Sequence, residues 1–294
     1  MEKAVALGNF DGVHKAHQRL LNLTAKIADE KKLTSAAFVF ETHPLQVLGK
    51  QDFCYITQNR VKEQKIIEAG IEKVIFKETT KELLSLSPEE FVLKILRDEL
   101  SAKVVVAGYN YTFGKGGRGD SEYLKKLCRE QGIEVLILGK EELFGEAVSS
   151  SRIREYLASG DIEKANMLLG YPFSIRGEVK EGKKLGREIG FPTANVEFEP
   201  NMIIPKFGVY KSVVLADGGK YNAVTNIGTN PTVEKAVPRA ECHILDFNKD
   251  IYGQEIEICL LHKIRDEIKF ESIEKLKIQI KKDKNYVLNS LEEF

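Results

Sequence analysis

The strongest constraint on the fold is an alternation of short apolar runs with amphipathic stretches of helical period over the first 139 residues. The apolar runs are bounded by turn residues and are short, which predicts buried strands. Strands that alternate with helices form a parallel sheet covered on both faces, and such sheets bind ligands at the carboxyl ends of their strands. The predicted strands are residues 4–7, 36–40, 73–76, 104–106 and 135–138, and the predicted helices include residues 60–69, 88–100 and 122–130.

The pattern changes after Gly170-Tyr171-Pro172, which follows two predicted short helices separated at residues 159–161. Short β-prone runs follow at residues 173–175, 209–210, 212–215 and 255–261, separated by turn clusters such as Asp217-Gly218-Gly219. Several short strands at this spacing predict a small antiparallel β-barrel, and residues 271–291 predict a terminal helix that packs against it. We therefore expect a Rossmann-like α/β domain over residues 1–170 and a β-barrel domain over residues 171–294.

Composition narrows the class of protein. A chain of 294 residues is long enough for two domains with a core each. The 44 basic and 44 acidic residues give a formal net charge of +0, which favours neither nucleic acid nor an anionic membrane as a partner. The four cysteines form no C-x-x-C pair, which disfavours a zinc site and a disulfide framework. No apolar run approaches the ~20 residues that span a bilayer, and no signal-peptide pattern is present, so we expect a cytoplasmic protein.

The first predicted strand runs into the segment GNFDGVHKAH, residues 8–17, a glycine-bearing turn in front of a helix. A helix N-terminus offers unpaired N–H groups and a partial positive charge, and it therefore favours phosphate. His14 and His17 lie three residues apart on one helical face, so both imidazoles can face one phosphorus centre. The alternative is a polar helix start with incidental histidines. The pattern favours a site for a nucleoside triphosphate.

This segment resembles the G-x-F-D-G-x-H-x-G-H signature of bacterial bifunctional FAD synthetases, with Ala16 in place of a glycine. In that family an FMN adenylyltransferase module, a nucleotidyltransferase, precedes a riboflavin kinase module. Three further elements resemble the family: His43-Pro44 after the second predicted strand, GYNYTFG at residues 108–114, and SSSRIR at residues 149–154, where Ser151 replaces a threonine. Each alone has an ordinary explanation, namely a solvated loop histidine, a flexible turn, and an N-cap followed by a solvated arginine.

The resemblance implies a role for each matching residue of the N-terminal module. His14 and His17 are expected to be catalytic in adenylyl transfer. The FMN phosphate attacks the α-phosphorus of ATP, and it needs no strong base because a phosphate monoester with a second pKa of ~6 is already largely a dianion. The residues expected to bind ATP are Gly8, Phe10, Asp11, Gly12, Asn110, Ser149, Ser150, Ser151 and Arg154, and those expected to bind flavin are His43, Pro44 and Tyr111.

The most specific match is GREIGFPTAN, residues 186–195, which closely resembles the riboflavin kinase signature G-R-x-[LI]-G-F-P-T-A-N. If the segment is extended, Thr193 and Asn195 share a face, where a hydroxyl and an amide oxygen suit Mg²⁺. The alternative is a turn leading into an edge strand, with Asn195 bonded to backbone. Gly186, Arg187 and Pro192 are expected to bind the ATP of the kinase reaction.

Further motifs in the second half resemble the kinase family, including residues 208–210, 226–232, 241–247 and 252–253. Glu241 matches the family's catalytic glutamate, and a positioned carboxylate suits the chemistry because the attacking hydroxyl of riboflavin must lose a proton. A strand glutamate outside such a motif is ordinarily an outward, solvated residue. Arg265 and Phe270 lie in an element that resembles one near the flavin, so we expect them to contribute to flavin binding.

The resemblance covers essentially the whole chain and implies an enzyme that makes FMN from riboflavin and then FAD from FMN. It implies Mg²⁺ as the cofactor and riboflavin, FMN, FAD, ATP, ADP and pyrophosphate as small-molecule partners, with no nucleic acid and no membrane; the oligomeric state stays open. One alternative is a paralogue with a single activity, in which Ala16 and Ser151 make the adenylyltransferase the activity to be lost. Another is a regulatory flavin-binding protein, for which a base, metal ligands and phosphate-facing histidines would be superfluous.

Overall fold

The structure of the chain, a computed structural model, describes residues 1–50, 53–182, 186, 189–229 and 237–290. It divides into two compact units, Met1–Ser150 and Ser151–Phe294. The domain boundary expected after residue 170 stays a prediction. No helix in the described ranges is both long and apolar enough to cross a membrane.

The first unit is built on a five-stranded parallel sheet, as the alternating pattern predicts. Its elements in chain order are β1 (Lys3–Leu7), α1 (Lys15–Lys31), β2 (Thr34–Phe40), α2 (Pro44–Val47), α3 (Asn59–Glu68), β3 (Lys73–Lys77), α4 (Lys81–Ser85), α5 (Pro88–Glu90), a π-helix (Phe91–Glu99), β4 (Ala102–Gly108), a 3₁₀ turn (Lys115–Gly117), α6 (Ser121–Glu130), β5 (Glu134–Leu138), β6 (Glu142–Leu143) and β7 (Glu146–Ala147). The strand order is β3-β2-β1-β4-β5, and β6 and β7 form a separate hairpin.

The two faces of this sheet are covered by different helices because successive strand residues point to opposite sides. Ala4 and Ala6 of β1 face one core cluster with residues of α1 and α3, whereas Val5 and Leu7 face the other cluster with residues of the π-helix and α6. The helix that follows β1, α1, therefore covers one face of the sheet, and the π-helix that precedes β4 covers the other face. Loops that leave adjacent strands toward opposite faces open a crevice at the strands' carboxyl ends, where α/β sheets bind ligands.

The second unit begins with α7 (Ser150–Ser159), whose first residue belongs to the first unit, and α8 (Ile162–Leu169). It continues with β8 (Ser174–Glu178), β9 (Ala194–Glu197), β10 (Gly208–Ala216), β11 (Gly219–Thr229), β12 (Pro238–Ile244), β13 (Glu255–Arg265) and α9 (Ile273–Asn289). The strands pair antiparallel in the order β8-β13-β10-β11-β12-β9. The N–H of Lys180, just past β8, donates to the carbonyl of Asn195 in β9 at 2.9 Å, which nearly closes the barrel.

The predicted barrel and terminal helix are thus confirmed, with two differences in detail. The runs at residues 209–210 and 212–215 are one strand, β10, because Lys211 between them pairs with Val224 of β11 and His262 of β13. The predicted helix at residues 88–100 is largely a π-helix, with only its first turn in α form. Hydrophobic periodicity identifies a helix over these residues but does not separate the two hydrogen-bond patterns.

Candidate active sites

The turn after β1 holds three of four successive residues in the left-handed region of backbone space. The φ angles are 49° for Phe10, 81° for Gly12 and 31° for Val13. Glycine adopts such values freely, but a β-branched valine does so only at a cost, which the surrounding structure has to offset. Strain of this kind is concentrated at binding sites, and this turn lies at the carboxyl edge of the sheet because it directly follows β1.

Hydrogen bonds to the segment before α3 fix this turn. The buried carboxylate of Asp11 accepts the N–H groups of Ile56 at 2.8 Å and Thr57 at 3.3 Å through Oδ1. The N–H of Gly12 donates to Oγ1 of Thr57 at 3.0 Å. Asp11 therefore joins the turn after β1 to the segment before α3. The contacts with ATP expected of Gly8, Asp11 and Gly12 stay predictions.

The two histidines of the motif lie together at the start of α1, as their spacing predicts. His14 is the N-cap residue, and its Nδ1 accepts the N–H of His17 at 3.3 Å. The two rings stack with centroids 3.6 Å apart and planes 12° apart. Phe10 is fully buried and meets the His17 ring edge-on at 5.2 Å. The Phe10 side chain thus supports the histidine pair, and any contact of this residue with ATP has to come from its backbone.

His17 has a buried ring nitrogen, Nδ1, with no hydrogen-bond partner in the part of the chain that the structure describes. Burial lowers the pKa of His17 well below its usual value, and the positive charges of His14 and Lys62 lower it further. The ring is therefore neutral at physiological pH and presents one N–H donor and one acceptor. An unpaired buried polar atom is costly, so its presence here favours a site that a ligand or water completes.

We expect the His17 ring to stay neutral at pH 6.5, where an unperturbed histidine is half protonated. Because burial disfavours the charged ring, protonation is shifted to lower pH and the neutral form persists across the physiological range. Nitrogen-detected NMR of the ring during a pH titration measures this directly, with His17→Gln used to assign the signal. A midpoint at or above 6.5 would contradict the burial seen here.

The loop after β2 is joined to the turn after β1. His43 caps α2, with its Nδ1 accepting the N–H of Leu45 at 3.2 Å and Pro44 in the first turn. Its Nε2 lies 3.1 Å from the side-chain amide of Asn9, and its ring stacks on Phe53 at 4.0 Å. The structure therefore brings His43 and Pro44 to the histidine motif, while their contact with flavin stays a prediction.

The loop after β4 starts beside the loop after β1, because Ala107 pairs with Leu7 in adjacent parallel strands. Asn110 in this loop is exposed. The Tyr111 ring lies parallel to that of Phe113 at 6.1 Å and packs against the core, and burial raises the pKa of its hydroxyl. The predicted nucleotide contact of Asn110 and flavin contact of Tyr111 stay predictions.

The serine motif reaches the same turn through one hydrogen bond. Ser150, the first residue of α7, donates through Oγ to the carbonyl of Asp11 at 2.7 Å, and Ser149 precedes it. Ser151 is exposed and Arg154 is half-buried further along α7, in the second unit. The phosphate contacts expected of these four residues stay predictions.

Sequence reasoning missed one residue at this edge, Lys62 in the first turn of α3. Its side chain is buried at 7% exposure, and Nζ donates to Oδ1 of Asn59 at 3.2 Å. Burial lowers the pKa of Lys62, and the negative charge of Asp11 opposes that change. A single lysine in a polar helix is ordinarily solvated, so the sequence held no signal for it.

The barrel carries a second group of polar residues on one face of β12. Glu241 pairs directly with Asn195 of β9 on one side and with Asn226 of β11 on the other. Residues directly opposite each other in antiparallel strands point to the same face, so two amides flank the carboxylate. Cys242, the next residue of β12, points to the opposite face and is fully buried. Asn226 was given no individual role from the sequence, because strand register is not visible there.

A cavity of about 200 Å³ opens in the same unit, and its lining from β12 consists of Cys242 and Ile244, which alternate with Glu241 and lie on the opposite face of the strand. Pro192, Thr193 and Ala194 line one side, and residues 247–252 line another. The carbonyl of Pro192 accepts a hydrogen bond from Nδ1 of His243 at 2.8 Å, and the His243 ring meets Phe191 edge-on at 5.5 Å. Thr193 lines this cavity, whereas Asn195, two residues further on in β9, pairs with Glu241 on the other face of the sheet.

Gly186 lies at a close approach of two backbone segments. Its carbonyl accepts the N–H of Phe191 at 2.7 Å, and a Cβ at this position would lie only 2.4 Å from the Phe191 carbonyl oxygen. The loop therefore requires glycine at residue 186. Arg187 lies outside the described residues, so its expected ATP contact is not described by the structure.

Arg265 is occupied by a structural contact at the end of β13. Its guanidinium donates from Nη2 to Asp283 of α9 at 2.7 Å and from Nε at 3.1 Å. Asp283 is 3% exposed and also accepts from Gln279 at 2.8 Å, and the Phe270 ring lies 6.0 Å from the guanidinium. The pair ties α9 to the barrel. The flavin contacts expected of Arg265 and Phe270 stay predictions.

Comparison with known families divides the chain in two. Residues 1–152 match the family model described as FAD synthetase, and residues 169–291 match the model described as riboflavin kinase. The histidine motif and its turn fall in the first match. The Glu241 group and the cavity fall in the second.

Individual relatives match nearly the full length. Two proteins named bifunctional riboflavin kinase/FMN adenylyltransferase, from Listeria monocytogenes and Bacillus subtilis, are 37% and 39% identical over 96% of this chain and 90% of their own length. A crystal structure described as a macrolide-efflux protein from Streptococcus pneumoniae has a TM-score of 0.90 and 34% identity, covering 99% of this chain and 95% of that one.

Proposed function

The chain belongs to the family of bifunctional riboflavin kinases/FMN adenylyltransferases, and from that premise we propose which residues carry each reaction. The protein phosphorylates riboflavin with ATP to give FMN, and it adenylylates FMN with ATP to give FAD. The observation that carries the residue assignment is that each half holds one cluster of chemically suitable side chains at a ligand-accessible edge.

In the kinase reaction, Glu241 accepts the proton of the terminal hydroxyl of riboflavin. The hydroxyl oxygen forms a bond to the γ-phosphorus of ATP, the bond to the bridging oxygen breaks, and ADP leaves. A carboxylate suits this role because it is ionised at neutral pH and a positioned base assists proton removal. The flanking amides of Asn195 and Asn226 support the proposal, since they are placed to hydrogen-bond to the carboxylate and to orient the hydroxyl of riboflavin toward it.

Mg²⁺ is the cation we propose for the kinase site, with Thr193 and Asn195 as its protein ligands. A hydroxyl and an amide oxygen are hard donors, and Mg²⁺ ordinarily keeps waters and phosphate oxygens as its other ligands. Asn195 is 7% exposed and pairs with Glu241, and Thr193 lies two residues before it, so both can contact phosphates near the proposed base. When bound, the ion neutralises charge on the phosphates.

In the adenylyltransferase reaction, an FMN phosphate oxygen bonds to the α-phosphorus of ATP and pyrophosphate leaves. His14 and His17 donate hydrogen bonds to phosphate oxygens as negative charge shifts toward the leaving group. Their stacking and the cap from His14 hold the two rings at the N-terminus of α1, where backbone N–H groups also favour phosphate. Positioning therefore carries this reaction, and no protein base is required.

Gly186→Ala is expected to lower kcat/KM for riboflavin phosphorylation about a hundredfold, because displacement of a substrate-positioning loop by ~1 Å has effects of that size. The added Cβ would lie 2.4 Å from the Phe191 carbonyl and push the loop that carries Thr193. Gly139→Ala is the matched control, since its Cβ would contact nothing within 4 Å. Steady-state kinetics of both reactions measure the effect, and unchanged phosphorylation would contradict the proposed role of this loop.

Chromatography of flavins after incubation with Mg²⁺ and ATP tests the function as a whole, once from riboflavin and once from FMN. FAD from both substrates is expected. FMN alone from riboflavin would indicate a single-activity kinase, and no conversion would indicate a regulatory flavin-binding protein. We propose a cytoplasmic location, which the consumption of ATP supports.

A further inference from the structure

We propose that Lys62 is a third phosphate-binding group of the adenylyl-transfer site, which contacts the β- and γ-phosphates of ATP and the pyrophosphate that leaves. The inference rests on the assignment of that site to His14 and His17. It adds a cation from a different element, α3, to the histidine pair of α1.

Lys62 is brought to the site by the contacts of its own segment. Residues 56 and 57, just before α3, hydrogen-bond to Asp11 and Gly12 of the turn before α1. Asn59 in the first turn of α3 donates to the carbonyl of Glu41, which directly follows β2, at 2.8 Å. The first turn of α3 therefore lies at the carboxyl edge of β1 and β2, and Lys62 is four residues past its N-cap.

Most of the hydrogen-bond donors of the Lys62 ammonium have no partner within the described ranges. It has three N–H donors, and within the described ranges its one hydrogen-bond partner is the neutral Oδ1 of Asn59. Burial lowers the pKa of Lys62 and the negative charge of Asp11 opposes that change, but the Asp11 carboxylate itself accepts two backbone N–H groups. A buried cation with a single neutral partner is costly for folding, so this lysine is better explained by an anion that it binds.

A phosphate chain is the anion that suits these surroundings. The charge of Lys62 lowers the pKa of His17, and the buried Nδ1 of His17 has no hydrogen-bond partner among the described residues. The neutral imidazole of His17 offers a hydrogen bond but no charge, whereas triphosphate and pyrophosphate carry several negative charges. An ammonium beside the pair supplies the missing positive charge at the point where the leaving group gains negative charge.

Lys62→Met tests the inference because methionine fills a similar volume without a buried charge. We expect KM for ATP in FAD formation and Kd for inorganic pyrophosphate with Mg²⁺, measured by calorimetry, to rise about 10- to 100-fold, the range of a charge-assisted hydrogen bond. KM for FMN and riboflavin phosphorylation by the same full-length protein should not change. The unfolding temperature should stay equal or rise, because the variant no longer buries an ammonium.

Two further variants make the result specific. Lys62→Gln keeps a donor for Asn59 without the charge, so it should behave as Lys62→Met; recovery of ATP affinity would show that the Asn59 contact, not phosphate, is the role of Lys62. Lys65→Met removes the same charge from the same helix, where Lys65 pairs with Glu68, and should change neither reaction.

A lower unfolding temperature together with equal losses for ATP and FMN would overturn the inference in favour of a structural role. Unchanged FAD formation and pyrophosphate binding in Lys62→Met would also overturn it. His17→Ala measured alongside separates this failure from failure of the proposed site. If His17→Ala loses FAD formation and Lys62→Met does not, the proposed site is retained without Lys62. If neither variant changes FAD formation, the adenylyl-transfer site lies elsewhere in the protein.

Discussion

Glu241→Gln is expected to lower kcat for riboflavin phosphorylation by about 10²- to 10⁴-fold, the usual contribution of a positioned general base, while FAD formation from supplied FMN is unchanged. Glutamine keeps the size of the side chain and its polar character between Asn195 and Asn226, the two residues that flank residue 241. It cannot accept the proton of the attacking hydroxyl. KM for riboflavin should therefore change little, and the loss should appear in kcat.

Glu257→Gln is the matched control, because it removes a carboxylate from β13 of the same barrel. It should leave both activities intact. Phosphorylation by Glu241→Gln at the normal rate would remove Glu241 from the chemistry. An equal loss in both reactions would instead indicate a general defect in the protein.

The two reactions require different chemistry from the protein, and the two proposed sites differ accordingly. The riboflavin hydroxyl is a poor nucleophile until its proton is removed, so the barrel site needs a base. The FMN phosphate is already ionised, so the site after β1 needs donors and positive charge. The structure places a carboxylate at the first proposed site and, at the second, a buried lysine together with a histidine whose pKa is lowered by burial.

The fold was predictable because hydrophobic patterning records which faces are buried. The runs at residues 4–7 and 36–40 had to be strands between two helical layers, and their alternation with helices fixed a parallel sheet. Turn residues after residue 170 likewise marked a change to antiparallel structure. The spacing of His14 and His17 placed both on one helix face, since local geometry determines that relation.

Contacts between segments that are distant in the sequence could not be predicted from hydrophobic patterning. The flanking of Glu241 by Asn226 depends on strand register, and the pairing of Arg265 with Asp283 depends on how α9 packs. The left-handed φ of Val13 contradicts local preference and is imposed by the loops around it. Lys62 is buried only because α3 packs its first turn against the sheet edge. Periodicity carries no information on any of these relations.

His17→Ala is expected to lower kcat/KM for FAD formation from FMN by about 10²- to 10³-fold, the effect of removing one donor to developing negative charge. Riboflavin phosphorylation should be unchanged. His17 is the cleaner of the two histidines to test, because His14 also caps α1 through Nδ1. His14→Asn is the companion variant: asparagine is a good N-cap, so it keeps the helix start while removing the imidazole.

Arg19→Ala is the control for this pair, since it changes the same helix at a side chain that is 63% exposed. It should retain both activities. If His17→Ala and His14→Asn both form FAD at the normal rate, the stacked histidines do not act on the phosphates, and the strained turn between β1 and α1 has another role. If only His17→Ala is impaired, transition-state stabilisation resides in the His17 ring, and His14 serves mainly to cap α1 and hold that ring in place.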